Sequence, residues 1–377
     1  MAGSELLLDD AGSDVGVGTD DGTDDAAPWP LDGTRLRLTA RPRRRGHRLV
    51  VGLAALAVGV VLVIAGTVVL QEVTAVLRVA LALAGSGLVY LGADRHGRFL
   101  LGEELETALW FSVAWLGLVT LAAVGADLLP LAESRDVSKT LTTPTLLRPD
   151  LFSEHPLGTD RQGLDILGGV VHGARVSLVV SLGAVAIGMA IGGLVGITAG
   201  YYRGRTEGAV NVVADSMLAF PPLILLLGMV AVVEPSVRNV TIALGVLGIP
   251  TYIRLSRANT MVFAQREFVL AARALGARDR RLILRELLPN VALPVVSYSF
   301  IVLGALIVAE ASLSFLGLSI RRPNPTWGNM IAAGQTTFEQ HPHLVFAPGT
   351  VLFLTVFALN RVGDKARKLW DPRRSRL

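Results

Sequence analysis

Apolar positions in this chain gather in long blocks, with neither the alternation of half-buried strands nor a heptad repeat. The blocks occupy residues 49–70, 73–92, 107–129, 174–200, 209–233, 237–255, 291–316 and 345–360. Each approaches the roughly 20 apolar residues with which a helix crosses a hydrocarbon core. Backbone groups in hydrocarbon must be satisfied within the segment, so the blocks predict helices and an all-α, polytopic membrane protein. The block at 73–92 is the weakest, because Arg78 lies in its first turns and must reach back to the interface.

Charge orders the blocks. Residues 1–33 carry Glu5, Asp9, Asp10, Asp14, Asp20, Asp21, Asp24, Asp25 and Asp32 with no basic residue, a composition that predicts a disordered tail. The segment has neither the basic start nor the cleavage site of a secretory signal, so no removal is expected. The sign then inverts: Arg35, Arg37, Arg41, Arg43, Arg44, Arg45 and Arg48 precede the first apolar block and predict a cytoplasmic N-terminus. Eight spans from that start place the Arg-rich stretch 256–290 and the basic C-terminal tail inside as well. From Arg254 to Glu286 there are eight arginines against three acidic residues, whereas the stretch 131–173 has six acidic against four basic. Dropping only the weak second span would invert this asymmetry. The expected organisation is therefore a cytoplasmic tail at 1–48, an N-terminal hairpin at 49–92, a helix with an outer segment at 107–172, a transmembrane domain at 173–360, and a basic tail at 361–377.

The net charge is +4, but the arginine clusters flank apolar spans, which explains them without nucleic acid. The absence of cysteine excludes disulfide frameworks, thiol nucleophiles and Cys-based metal sites. No convincing metal-ligand cluster is found among the histidines, and no cofactor is expected. The spans and the stretches beside them carry no convincing paired carboxylates, Ser-His set or HExxH run. No GxxxxGK[ST] phosphate loop occurs either, since the Ser138–Thr140 run lacks the preceding glycines.

Within the spans, Pro221 and Pro222 must break or kink the block at 209–233, as a hinge or as a packing kink. Gly188, Gly192, Gly196 and Gly200 recur at every fourth position, the spacing that lets two membrane helices approach closely. Asp215 and Glu310 are ionisable residues in or near the spans and so are candidates for lining a pathway, alongside the plainer roles of capping, pairing or interface packing. Trp327 fits an aromatic belt on the outer side, where His341 and His343 also fall.

The stretch REFVLAARALGARDRRLILRELLPN, residues 266–290, reads as two short helices with a break. Gly276 tolerates a left-handed C-cap after residues 268–275, Asp279 is a candidate N-cap for residues 280–287, and Pro289 is expected to end that helix. Ala271, Ala272 and Ala274 allow close approach, and Arg273, Arg278, Arg280, Arg281 and Arg285 offer donors to a partner's carboxylates and carbonyls. A basic loop lying on the anionic inner leaflet is the alternative.

This stretch resembles the cytoplasmic loop of permease subunits of binding-protein-dependent ABC importers. The family's pattern falls on Leu270, Ala271, Ala272, Gly276, Glu286, Leu288 and Pro289 with matching spacing. Leu270 stands where the family usually has Glu, and Glu286 where it has an apolar residue or His. HPLGTDRQGLDILGGVVHGARVSL (155–178), GYYRGRTEGAVNVVADSMLAFPPLILL (200–226), EASLSFLGLSIRRPNPTWGNMI (310–331) and APGTVLFLTVFALNRVGDKARKLWDPRRSR (347–376) resemble one branch, the second permease of dipeptide, oligopeptide and nickel importers. The likeness covers residues 107–377 and leaves the first two spans without a counterpart.

The resemblance implies a six-helix permease core with two additional N-terminal helices, and a transport subunit that is not an enzyme. It implies a second permease, two ABC ATPase subunits and an extracellular substrate-binding protein as partners. Ala271, Ala272, Arg273, Gly276, Asp279, Leu288 and Pro289 are then expected to couple to an ATPase, and Asp215, Pro221, Pro222 and Glu310 to form the path or its hinge. Peptide import is the expected function, with nickel or another small solute as the alternative cargo. An ion-gradient transporter is the rival from a different class, and it leaves the elbow unexplained.

Overall fold

The computed structural model describes residues 43–64, 85, 88, 107–150, 152–232, 234 and 236–369. The expected span at 73–92, apart from residues 85 and 88, and the acidic tail lie outside these residues. The described helices are α1 (Arg43–Ile64), α2 (Thr107–Val124), α3 (Ile166–Tyr202), α4 (Gly204–Ala219), α5 (Pro222–Val232), α6 (Val237–Phe263), α7 (Glu267–Ala274), α8 (Asp279–Phe315), α9 (Trp327–Gln335) and α10 (His343–Leu369). Four of them, α2, α3, α8 and α10, are long and apolar enough to cross a membrane. Among the described residues the β-structure is one isolated bridge, Thr159 to Asp165.

The most extensive helix contact among the described residues joins α3 to α6. It is built on the glycine stripe. A Cβ at Gly196 would stand 2.5 Å from the Ile253 carbonyl oxygen, and one at Gly200 would stand 2.7 Å from that of Arg257. A Cβ at Gly188 would press on the Tyr252 ring at 3.0 Å, and at Gly192 on the backbone at Ile249. Gly245 of α6 reciprocates, meeting the Ile187 side chain of α3. The absent side chains let the helix backbones touch, which is how membrane helices gain packing without a hydrophobic drive between them. Tyr252, fully buried at this seam, donates its hydroxyl to Ser299 Oγ of α8 at 2.9 Å and so ties the third helix in. Helix α2 lies against α10, with Trp115 Nε1 donating to Thr355 Oγ1 at 3.1 Å.

Several expected boundaries move, each for a local reason. Helix α3 starts at Ile166, ahead of residue 174, because Asp165 caps it by accepting the Gly168 N–H at 2.6 Å. Helix α6 continues past residue 256 to Phe263. Its last turns are polar in sequence, and two of these side chains are paired in place: Thr260 donates to the Ser256 carbonyl, and Arg257 pairs with Glu207 of α4. The block at 209–233 is two helices, α4 and α5, parted at Phe220, whose extended backbone precedes Pro221. Pro289 does not end a helix. A π-helical segment at Leu282–Leu287, in which the Leu288 N–H reaches back to the Ile283 carbonyl, precedes it, and α8 runs on to Phe315. The wider turn makes room for a ring that lacks an N–H and would otherwise crowd the carbonyl four residues back. Helix α1 begins at Arg43 within the expected tail, and α10 continues to Leu369 past residue 360.

Candidate functional site

The elbow is a folded unit with its own small core. Val269, Leu282 and Leu287 are fully buried there, with Tyr201, Phe263, Ala272 and Ala277 packed around them. Helix α7 closes in a Schellman motif: the Ala277 N–H bonds the Ala272 carbonyl and the Gly276 N–H that of Arg273, both at 3.0 Å. Gly276 holds φ at +78°, the left-handed conformation that L side chains rarely adopt, and a Cβ there would meet nothing in this chain. Its identity is set by the turn and not by space.

Asp279 is the first residue of α8, and Arg278 occupies the N-cap. The expected cap is thus displaced by one residue, because the Asp279 carboxylate is engaged elsewhere: its Oδ1 accepts the Tyr201 hydroxyl at 2.6 Å. Arg273 Nη2 donates to the same hydroxyl oxygen at 3.2 Å, and its guanidinium lies 5.5 Å from the Tyr201 ring centroid. Tyr201 therefore clamps both limbs of the elbow to the end of α3. The sequence carries no signal for this residue beyond its place before Arg203. Ala271 is exposed and Ala272 half-buried, and outside the clamp stand Leu275, 88% exposed, Leu270, 50% exposed, and the side chains of Arg278, Arg280, Arg281 and Arg285. Leu288 packs on the main core and Pro289 is exposed. Tyr201→Phe is expected to loosen the elbow without unfolding it. Amide hydrogen exchange over residues 267–281 should quicken by about tenfold, the worth of a hydrogen bond to a charged group; unchanged protection would remove the clamp.

Helices α4 and α6 are joined by two ion pairs, Asp215 with Arg254 at 2.6 Å and Glu207 with Arg257. Asp215 lies just before the break at Pro221 and Pro222. An open cavity of about 400 Å³ lies beside the first pair, lined by Leu218, Thr251, Arg254, Leu255 and Tyr298. The sequence marked Asp215 but not its partner, because Arg254, at the end of the block 237–255, counts with the basic stretch that follows it.

Glu310 is placed differently. It is fully buried between α3, α8 and α9, where Oε2 accepts the Ser177 hydroxyl at 3.0 Å and Oε1 that of Ser314 at 2.6 Å, with the Thr326 hydroxyl as a further partner. Trp327 stands beside it, also fully buried, with Nε1 donating to the Val170 carbonyl at 3.1 Å. The expected belt position is overturned: the indole anchors α9 to α3, where Gly173 leaves room for it.

The stretch between α2 and α3 forms an ordered cap over this end. Glu133 Oε1 accepts the N–H groups of Arg135, Asp136 and Ser134, and these bonds hold its carboxyl below the usual range. Hydrogen bonding and charge from Arg175 do the same for Asp127. Arg322, between α8 and α9, donates to Asp160 Oδ2 and Gln162 Oε1, both at 2.6 Å, beside a cavity of about 240 Å³. His155 bonds Asp165 at 3.1 Å, and His341 and His343 pack edge to face. Among the described residues no group of three or more His, Asp or Glu could hold a metal ion.

Residues 192–376, which span α6, the elbow, α8 and α10, match the family described as binding-protein-dependent transport system inner membrane component. The chain is 36% identical over 221 residues to the glutathione transport system permease protein of Pectobacterium atrosepticum, covering 59% of this chain and 73% of that protein. It is 33% identical over 262 residues to the dipeptide transport system permease protein of Alkalihalophilus pseudofirmus, covering 70% and 86%. It is 37% identical over 217 residues to the di/tripeptide transport system permease protein of Pseudomonas aeruginosa, covering 58% and 72%. With its apolar helices, its elbow and this extent of likeness, the chain belongs to the inner-membrane permease components of binding-protein-dependent transport systems.

Proposed function

We propose that this chain is one of two permeases of an ATP-driven importer of short peptides, and that its elbow is the seat of a separate ATPase. The observation that carries the proposal is the elbow's division of labour. Arg273 and Asp279 are spent on Tyr201, so the unit is rigid, while Leu275, Leu270 and the remaining arginines stay outward for a partner. A rigid lever with an apolar tip and a basic rim suits the receipt of mechanical work from another protein. The peptide cargo is supported by the names of the relatives, which are permeases for dipeptides, di/tripeptides and glutathione.

In this reading the elbow and both termini are cytoplasmic, a placement that the arginine distribution supports. Closure of the ATPase pair moves the two elbows, and the α3–α6 seam carries that motion as a rigid body, so the path alternates its open side. Ala271, Ala272, Gly276, Leu288 and Pro289 shape the seat or its hinge to α8, and Pro221 and Pro222 let α4 move apart from α5. A binding protein delivers cargo to the opposite end, over the cap between α2 and α3. Chemistry on ATP belongs to the partners.

Leu275→Glu tests the seat. The side chain stands in the open, so the variant should melt with the parent. Co-purification of the ATPase should fall by about tenfold or more, because a carboxylate would be buried in the interface. A variant that keeps both its ATPase and its uptake would show that the elbow is not the seat.

A further inference from the structure

The cavity of about 240 Å³ beside Arg322 opens at the end of the molecule away from the elbow. Helix α3 runs 37 residues from Ile166 at the cavity to Tyr202 beside the clamp, about 55 Å at 1.5 Å per residue, whereas a whole bilayer is about 40–45 Å thick. The cavity therefore faces the water opposite the elbow. Helix α8 agrees, since Asp279 begins it at the clamp and the loop after its last residue, Phe315, supplies Arg322 and Pro323 to the cavity wall.

Its floor is apolar and its mouth is basic. Ile166, Met330 and Leu344 line it as a small buried cluster, and Gly169 lies so close to Met330 that a Cβ would meet Cε at 2.8 Å. The two carboxylates in the wall are already engaged: Asp160 Oδ1 accepts the Gln162 and Leu164 N–H groups at 2.8 and 3.0 Å and Oδ2 the Arg322 guanidinium, while Asp165 bonds His155 and the Gly168 N–H. Arg161, exposed at the mouth, is the exception. It donates to the neutral Thr336 hydroxyl at 2.7 Å, and among the described residues it has no carboxylate partner. A free cation over an apolar hollow is complementary to a guest that carries both an apolar group and an anion. Size narrows the guest. An apolar cavity of about 150 Å³ holds a benzene-sized group and small-molecule sites begin at about 300 Å³, so about 240 Å³ suits one large side chain of a protein. The surroundings also fit a broad partner, because Leu141, 82% exposed, follows Thr140, whose hydroxyl bonds the Gln162 carbonyl at 2.8 Å. A protein that covers the mouth would cover this leucine too.

We propose that this cavity is a socket for the extracellular binding protein, which seats one large apolar side chain on Met330 and Leu344 and sets a neighbouring aspartate or glutamate on Arg161. The inference rests on the importer reading and gives its binding protein a point of attachment in this chain. Met330 is the adaptable part of the floor, because an unbranched thioether refits to its guest. An apolar anchor in a pocket supplies most of the strength of such a contact, and the charge pair at the rim sets its orientation and rejects wrong partners.

The whole importer, both permeases with their ATPases in lipid nanodiscs, supplies the test when titrated with its purified extracellular binding protein loaded with dialanine. Ala333, exposed on α9 and part of the cavity lining, allows the socket to be plugged without a change of charge. Ala333→Phe is expected to weaken binding by about tenfold and to keep the parent's dependence on salt. Arg161→Glu should weaken it by about tenfold or more, because two carboxylates would then face each other. Arg161→Gln should lose about threefold and flatten the salt dependence, a signature that a structural brace would not give. All three positions changed are exposed, so melting and co-purification of the ATPases should match the parent. Parental affinity in either Ala333→Phe or Arg161→Glu overturns the inference. Loss that follows a lowered melting temperature in both Arg161 variants overturns it too, and leaves a brace. Dialanine that binds the parent without the binding protein and no longer binds Ala333→Phe would make the cavity a cargo site instead, which also overturns it. A parent importer that takes up no dialanine and binds no extracellular binding protein refutes the importer reading itself.

Discussion

Gly192→Leu should leave almost no folded chain in detergent, while Gly208→Ala and Gly117→Ala, made in parallel, should melt within a few degrees of the parent. A Cβ at Gly192 would meet the Ile249 carbonyl, Tyr252 Cβ at 2.8 Å and the Ile253 nitrogen at 3.2 Å, all parts of α6 that have no rotamer to change. The rest of a leucine must then force the helices apart. Overpacking a well-filled interior costs about 1–3 kcal/mol, and more where backbone is the obstacle. The displacement would also break the neighbouring contacts at Gly188, Gly196 and Gly200 and strand the Tyr252 hydroxyl away from Ser299. Gly208 and Gly117 have nothing within 4 Å, so alanine there should be neutral or gain up to about 1 kcal/mol in helix propensity. A Gly192→Leu chain that melts like the parent would mean that the stripe is not the seam.

Glu310→Ala is the second large effect expected. It would remove the acceptor shared by the hydroxyls of Ser177, Ser314 and Thr326 and leave a void at a fully buried position. A stranded buried donor costs about 1–3 kcal/mol, so the loss should be about 3 kcal/mol or more. Glu310→Gln keeps an acceptor oxygen and nearly the same volume and should lose less than half of that. Thermal denaturation and limited proteolysis of residues 316–326 separate the outcomes, since Glu310 and Trp327 together seat α9 on α3 and α8. Equal melting of both variants would show that the hydroxyl set contributes nothing and that Glu310 serves in another conformation.

These expectations sort what could be read from the residues. The helical class, the proline break and the left-handed turn at Gly276 were legible because each follows from local chemistry: apolar length, a missing N–H, or a φ that only glycine takes easily. The glycine stripe announced a close contact without naming its partner. Boundaries failed where polar residues were paired within their own helix or with a neighbour, as at Thr260 and Arg257, since hydropathy counts a residue's cost in lipid and not its bonds. Pro289 misled for a related reason. A proline's clash with the preceding turn is removed when that turn widens to a π-helix, and the widening depends on how Leu282 and Leu287 pack.

The candidate site divides along the same line. Class, family and the outline of the elbow follow from spacing along the chain, because a turn, a cap and an apolar block each involve residues a few positions apart. Pairing across the fold does not. Tyr201 with Arg273 and Asp279, Asp215 with Arg254, and Glu310 with Ser177 and Thr326 join residues from different helices, and which charge is braced, sealed or left facing a cavity depends on where those helices cross. The folded arrangement therefore assigned Glu310 to the interior and left Asp215 and Arg254 open, two roles that the residue types alone did not distinguish.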